Sequence, residues 1–94
     1  RLAAGVTVSV NAAAVPDNAF GVTQNIIMID ADGFGYVTAF PTGLSQPEVS
    51  NGNTTAAGQT RSVLSMTVLG GGSSSYFVYT GTHLVVDVTG YFQG

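Results

Sequence analysis

Apolar and polar residues alternate along much of this chain, and no stretch sustains the 3.6-residue period of an amphipathic helix. Residues 5–10 read Gly-Val-Thr-Val-Ser-Val. Val6, Val8 and Val10 therefore share one face and Thr7 and Ser9 the other, as in a half-buried strand. Residues 24–30, Gln-Asn-Ile-Ile-Met-Ile-Asp, are apolar on both faces in the middle, which suits a central strand or one facing a partner. In residues 34–40, Phe34, Tyr36, Thr38 and Phe40 share a face opposite Val37 and Ala39. Across residues 59–69, Leu64, Met66 and Val68 alternate with Val63, Ser65 and Thr67, and the first row is expected to face the core. Residues 75–80 carry Tyr76, Phe77, Val78 and Tyr79. The longest strand is expected over residues 82–92, with Leu84, Val86, Val88 and Phe92 as its core face. His83, Val85, Asp87, Thr89 and Tyr91 form its other, mixed face.

Turn chemistry separates these segments. Val15-Pro16-Asp17-Asn18 combines a fixed φ with side chains that bond their own backbone, and Ala12 to Ala14 before it extend the first strand or form a connector. Asp30-Ala31-Asp32-Gly33 reads as a hairpin turn, Pro41-Thr42-Gly43 ends the following strand, and Gly70-Gly71-Gly72 with three serines reads as a flexible turn. Residues 44–59 are expected to be a long loop with a short edge strand near residues 48–50. The whole predicts an antiparallel β-sandwich, jelly-roll or immunoglobulin-like, of six to eight strands with little or no helix.

Composition sharpens this picture at the surface. A chain of 94 residues suits one domain and buries only about 60–65% of its unfolded surface, so its exterior must suit its surroundings. Charged residues are 7% of the chain, against about 25% in an average soluble protein. Such an exterior is either covered by other copies or neighbouring domains, or built from Ser, Thr, Asn and Gly. Two scattered cations, Arg1 and Arg61, and no lysine do not make a phosphate-tracking patch, so no nucleic-acid partner is expected. No apolar run approaches the ~20 residues of a spanning helix, and no membrane insertion is expected. The lack of cysteine removes disulfides, thiolate metal sites and thiol nucleophiles. The chain opens at Arg1 without methionine, as a processed product or an excised domain would.

Little in the residues points to catalysis or to a cofactor. Asp30-x-Asp32-Gly33 resembles the opening of a calcium loop, but Pro41 stands at the twelfth position, and a turn explains the residues better. His83 and Asp87 share a strand face about 13 Å apart at ~3.3 Å per residue, too far to bond each other. No Gly-x-Ser-x-Gly elbow accompanies them. Asp87 lies between valines. If buried it needs a partner, with Arg61 first and Arg1 second, and otherwise it is an exposed outer-face carboxylate. Tyr36, Tyr76, Tyr79 and Tyr91 with Phe34, Phe40, Phe77 and Phe92 can supply core or a stacking platform for neutral glycans. Asn53-Thr54-Thr55 is a glycosylation sequon.

Several segments together resemble a repeat module of secreted and cell-surface bacterial proteins. They are Val15-Pro16, the run Gly35-Tyr36-Val37-Thr38-Ala39-Phe40-Pro41, Ser50-Asn51-Gly52-Asn53, Ala57-Gly58-Gln59-Thr60 and the close over residues 82–92. The likeness covers nearly the whole chain in order. It departs at Gly52, where the family carries an apolar residue, and at the start, where an upstream segment with an Arg-x-x-Asp-Thr-Arg-like motif is absent. The resemblance implies a non-catalytic extracellular module, secreted or at the cell surface, structural or adhesive, and the absent upstream segment implies a sheet one N-terminal strand short. A sheet lacking a strand leaves a free edge that a neighbouring copy can fill. The expectation is thus a structural subunit that self-assembles into a filament, sheath or surface layer. Ile27, Ile29, Val63, Val85 and Tyr91, each opposite an expected core face, are the candidate assembly surface. The alternative is a monomeric adhesion or carbohydrate-binding module.

Overall fold

The alternating segments become seven strands, in a computed structural model that describes residues 1–11, 15, 18–47 and 50–93. They are β1 (Val6–Asn11), β2 (Ala19–Ile29), β3 (Gly35–Pro41), β4 (Gly52–Thr54), β5 (Arg61–Val68), β6 (Ser73–Val78) and β7 (His83–Gln93). They form two antiparallel sheets, one in the order β1-β6-β3-β4 and one in the order β5-β2-β7. The sheets pack face to face as an all-β sandwich, with Ile26, Met28, Val37, Tyr76 and Val78 buried between them. Leu2, Val8, Ala39, Val63, Leu84 and Val86 pack around that cluster. The edge strand expected at residues 48–50 is β4, a few residues later. Residues 48 and 49 lie outside the described residues, as do 12–14 and most of the turn expected at 15–18.

Consecutive strands lie in opposite sheets, except β3 and β4. The hairpin expected at Asp30-Ala31-Asp32-Gly33 is therefore a corner between layers. Its backbone groups bond other corners instead of a facing strand. Ala31 N–H donates to the Gln59 carbonyl (3.1 Å), Gly58 N–H to the Ala31 carbonyl (2.8 Å), and Asp32 N–H to the Gly81 carbonyl (2.8 Å). Arg1 ties down the same corner, donating to the Asp30 carbonyl (2.8 Å) and pairing with the Asp32 carboxylate. The glycine turn is equally specific. Gly70 and Ser73 exchange backbone hydrogen bonds of 2.8 and 3.1 Å around Gly71 and Gly72. Those two residues have φ of 61° and 81°, the paired positive values that tight two-residue turns require.

The interior has an apolar half and a polar half. Beside the apolar cluster, Gln24 is fully buried between the sheets. The Tyr76 hydroxyl donates to Gln24 Oε1 (2.7 Å), and Gln24 Nε2 donates to Thr67 Oγ1 (2.9 Å). Ser74 bonds the Tyr76 hydroxyl (2.7 Å), and Ser65 bonds Thr67 (3.0 Å). Asn51 extends the chain to the loop between β3 and β4, reaching Ser65 at 3.4 Å and accepting from Ala39 N–H at 2.7 Å. Among the described residues no buried side-chain nitrogen or oxygen lacks a partner. A network of this kind stabilises only while every member is satisfied.

Candidate functional site

The polar half of the interior dictates what β5 shows to the outside. Opposite residues in an antiparallel pair share a face. Val63, Ser65 and Thr67 lie opposite Ile26, Gln24 and Val22, so they point inward. Leu64, Met66 and Val68 lie opposite Asn25, Thr23 and Gly21 and point outward, where they are 67%, 75% and 58% exposed. This reverses the expected core face of β5. The hydroxyls of Ser65 and Thr67 find partners in Gln24 and Asn51 that an apolar row would leave unpaired, and this decides the register. Val63, proposed above as an outward residue, is a core neighbour for the same reason.

β7 changes face along its length. Leu84, Val86 and Val88 lie opposite Met28, Ile26 and Gln24 on the inner side. His83, Val85 and Asp87 lie opposite Ile29, Ile27 and Asn25 on the outer side. The pairing then skips Thr89, and such a bulge inverts the alternation beyond it. Tyr91 consequently lies opposite Val22 on the inner side, and Phe92 lies opposite Gly21 on the outer side. The expected roles of Tyr91 and Phe92 are thus exchanged. Phe92 packs against Phe20, ring centroids 6.2 Å apart. With Gly21, Met66 and Val68 these rings line an apolar hollow of about 330 Å³.

The outer face of β5-β2-β7 therefore joins Leu64, Met66 and Val68 to Ile27, Ile29 and Val85, with Phe20 and Phe92 at one end. Ile27, Ile29 and Val85 were singled out from the alternation. Leu64, Met66, Val68, Phe20 and Phe92 were not, because an apolar row in an alternating strand reads as core. Against them stand only His83, Asp87 and small polar residues such as Thr23, Asn25 and Ser62.

The candidate pair between Asp87 and Arg61 does not form, and Asp87 is instead the exposed outer-face carboxylate of the other alternative. Arg61 lies opposite Met28, on the inner side of one flank of the sheet, and Asp87 lies on the outer side of the other flank with β2 between them. Both are exposed, so neither carries the cost that would demand a partner. Asp30 and Asp32 instead converge on Arg1.

The other sheet gathers some of the aromatic residues. Tyr36 and Tyr79 stack with centroids 5.2 Å apart, Phe34 meets Tyr79 edge-on at 6.3 Å, and Phe77 lies 6.0 Å from Tyr36. Tyr76 is in the core, Phe40 is buried, and Tyr91 and Phe92 are on the other sheet. The eight aromatics thus form no single platform, and the two tyrosines spend ring faces on each other. Compared with known proteins, the chain matches no family model, no curated protein and no solved structure.

Proposed function

We propose that this chain is a non-catalytic structural module of the cell exterior that assembles with copies of itself, and that the outer face of β5-β2-β7 is its contact surface. The observation that carries this reading is the inverted β5, which keeps Ser65 and Thr67 inside while Leu64, Met66 and Val68 stand in solvent. Fully burying one such side chain contributes about 1.5–3 kcal/mol, so a contact that covers this row is stabilised by it. Contiguous exposed apolar faces of this kind mark contact sites. The low charge of the chain supports the same reading, because little electrostatic repulsion keeps copies apart. The placement outside the cell rests on the resemblance to secreted and cell-surface modules.

The test is the assembly state by light scattering across a concentration series. The wild-type chain is expected to form large species, and a variant carrying Leu64→Ser, Met66→Ser and Val68→Ser is expected to run as a monomer. Because these side chains point away from the core, the variant should keep its thermal midpoint to within a few degrees. A wild-type monomer at high concentration, or a triple variant that assembles as well as wild type, would refute the reading.

A further inference from the structure

We propose that Asn53 is the attachment site of an N-linked glycan and that the ring of Tyr36 is the seat of its first sugar. This rests on the placement of the chain outside the cell and is independent of which face copies use to meet. Asn53-Thr54-Thr55 is the only Asn-x-Ser/Thr run in the chain. Such runs recur by chance, and what distinguishes this one is where its three residues lie.

Asn53 is in β4, the edge strand of the four-stranded sheet. Its two neighbours face inward. A Cβ on Gly52 would sit 3.1 Å from Val63 and 3.6 Å from Val37, and Thr54 is fully buried. Alternation therefore turns Asn53 outward, where it is exposed, as is Thr55 beyond it. The Thr54 hydroxyl donates to the Gly33 carbonyl (2.8 Å) and anchors the strand from its inner side. Among the described residues the Asn53 amide has no hydrogen bond. Two other asparagines are spent on the fold: Asn51 accepts from Ala39 N–H and reaches Ser65, and Asn18 accepts from Gln93. Modifying Asn53 costs the fold no such bond.

Tyr36 is the direct cross-strand partner of Asn53, and opposite residues of an antiparallel pair hold their Cβ atoms about 4.5–5.5 Å apart. Both ring neighbours of Tyr36 come from its other side. Phe77 lies in β6, 6.0 Å away, and Tyr79, just beyond β6, stacks at 5.2 Å and 16°. β6 and β4 flank β3 on opposite sides, so the second face of the Tyr36 ring is turned toward Asn53. A pyranose presents C–H bonds on one face, and these pack on the electron-rich face of an aromatic ring. The Tyr79 stack already holds that ring in place, which lowers the ordering cost of the contact.

Attachment forms a bond between Asn53 Nδ2 and C1 of the sugar. The donor is an oligosaccharide linked to a polyprenyl diphosphate. Its C1–O bond breaks, the lipid diphosphate leaves with the electron pair, and one amide proton passes to a base of the transferase. Transfer belongs to the chain before it folds, because Thr54 is afterwards held by Gly33 and Thr55 by Gln59. The glycan then emerges from the outer face of β1-β6-β3-β4 and leaves the outer face of β5-β2-β7 uncovered.

The chain is secreted from a yeast host, and an endoglycosidase trims the glycan to its first sugar. By mass spectrometry wild type is expected to carry that sugar on Asn53, and Thr55→Ala, which keeps Asn53 but breaks the sequon, to lack it. Trimmed wild type should melt several degrees above the same chain made without glycan in a bacterial cytoplasm. Tyr36→Leu should lose most of that shift, and Tyr36→Phe, which keeps the ring, should retain it. Comparing the two forms within each variant cancels whatever loss of the Tyr79 stack does to the fold. Secreted wild type without the sugar would overturn the proposal, as would a wild type that gains no shift or a shift that survives Tyr36→Leu. Light scattering of the same samples tests the assembly reading separately, because the sugar sits on the opposite sheet.

Discussion

Alanine at Gly70 is expected to destabilise the fold by about 3 kcal/mol, the upper end of what one added methyl costs in a packed site. A Cβ built on Gly70 lands on the backbone of Thr42, inside contact distance of its carbonyl oxygen and 2.9 Å from its nitrogen. Backbone cannot swing aside as a side chain does. Relief requires the end of β3 to move away from the β5–β6 turn. That movement breaks the bond from Thr42 N–H to the Ser73 carbonyl (3.3 Å) and the Thr42–Ser75 hydroxyl contact (2.9 Å). For a chain of this length total stability is roughly 5–15 kcal/mol, so the loss is a large share of it. Gly33 is the matched control, since a Cβ there meets nothing within 4 Å and its φ is not positive. Gly33→Ala should stay within about 0.5 kcal/mol of wild type. Urea unfolding of both variants measures the difference, and equal midpoints would contradict the close approach of Thr42.

The second large effect is expected at Gln24. Gln24→Ala removes the acceptor of the Tyr76 hydroxyl and the donor to Thr67, and it opens a cavity between the sheets. The Tyr76 and Thr67 hydroxyls keep Ser74 and Ser65 as partners, so each lost hydrogen bond costs about 0.5–1.5 kcal/mol, and the cavity adds to that. A combined loss of about 3–4 kcal/mol follows. Gln24→Leu restores volume but leaves the hydroxyls of Thr67 and Tyr76 with one partner fewer, so it should recover only part of the loss. Chemical denaturation of the two variants separates cavity from hydrogen bonding. Full recovery in Gln24→Leu would mean that the network contributes little beyond filling space.

The strands were legible because alternation is local. Val6-Thr7-Val8-Ser9-Val10 and the long closing strand reveal themselves within a few residues. What alternation does not carry is which sheet the next strand joins. Asp30-Ala31-Asp32-Gly33 specifies a reversal, but the partners of its backbone, Gln59, Gly58 and Gly81, are distant in sequence. The orientation of β5 was hidden for the same reason. Leu64, Met66 and Val68 are the apolar row, and only Gln24, some 40 residues earlier, makes Ser65 and Thr67 the better inward choice. The bulge at Thr89 was foreshadowed only by Gly90 beside it, and one skipped residue exchanged the faces of Tyr91 and Phe92. Of the candidate assembly surface, Ile27, Ile29 and Val85 were readable from β2 and β7. Its most exposed members were not.

The chain contains two methionines. Met28 is sealed in the core, and Met66 stands three-quarters exposed on the outer face of β5. Peroxide converts accessible thioethers to sulfoxides and reaches sealed ones slowly. The molecule thus carries a chemical reporter and its own internal standard. In dispersed copies Met66 should oxidise well ahead of Met28, and the ratio should fall as copies come together if that face is what they cover. The order of events would also be informative, because a polar sulfoxide on β5 should itself drive assembled copies apart.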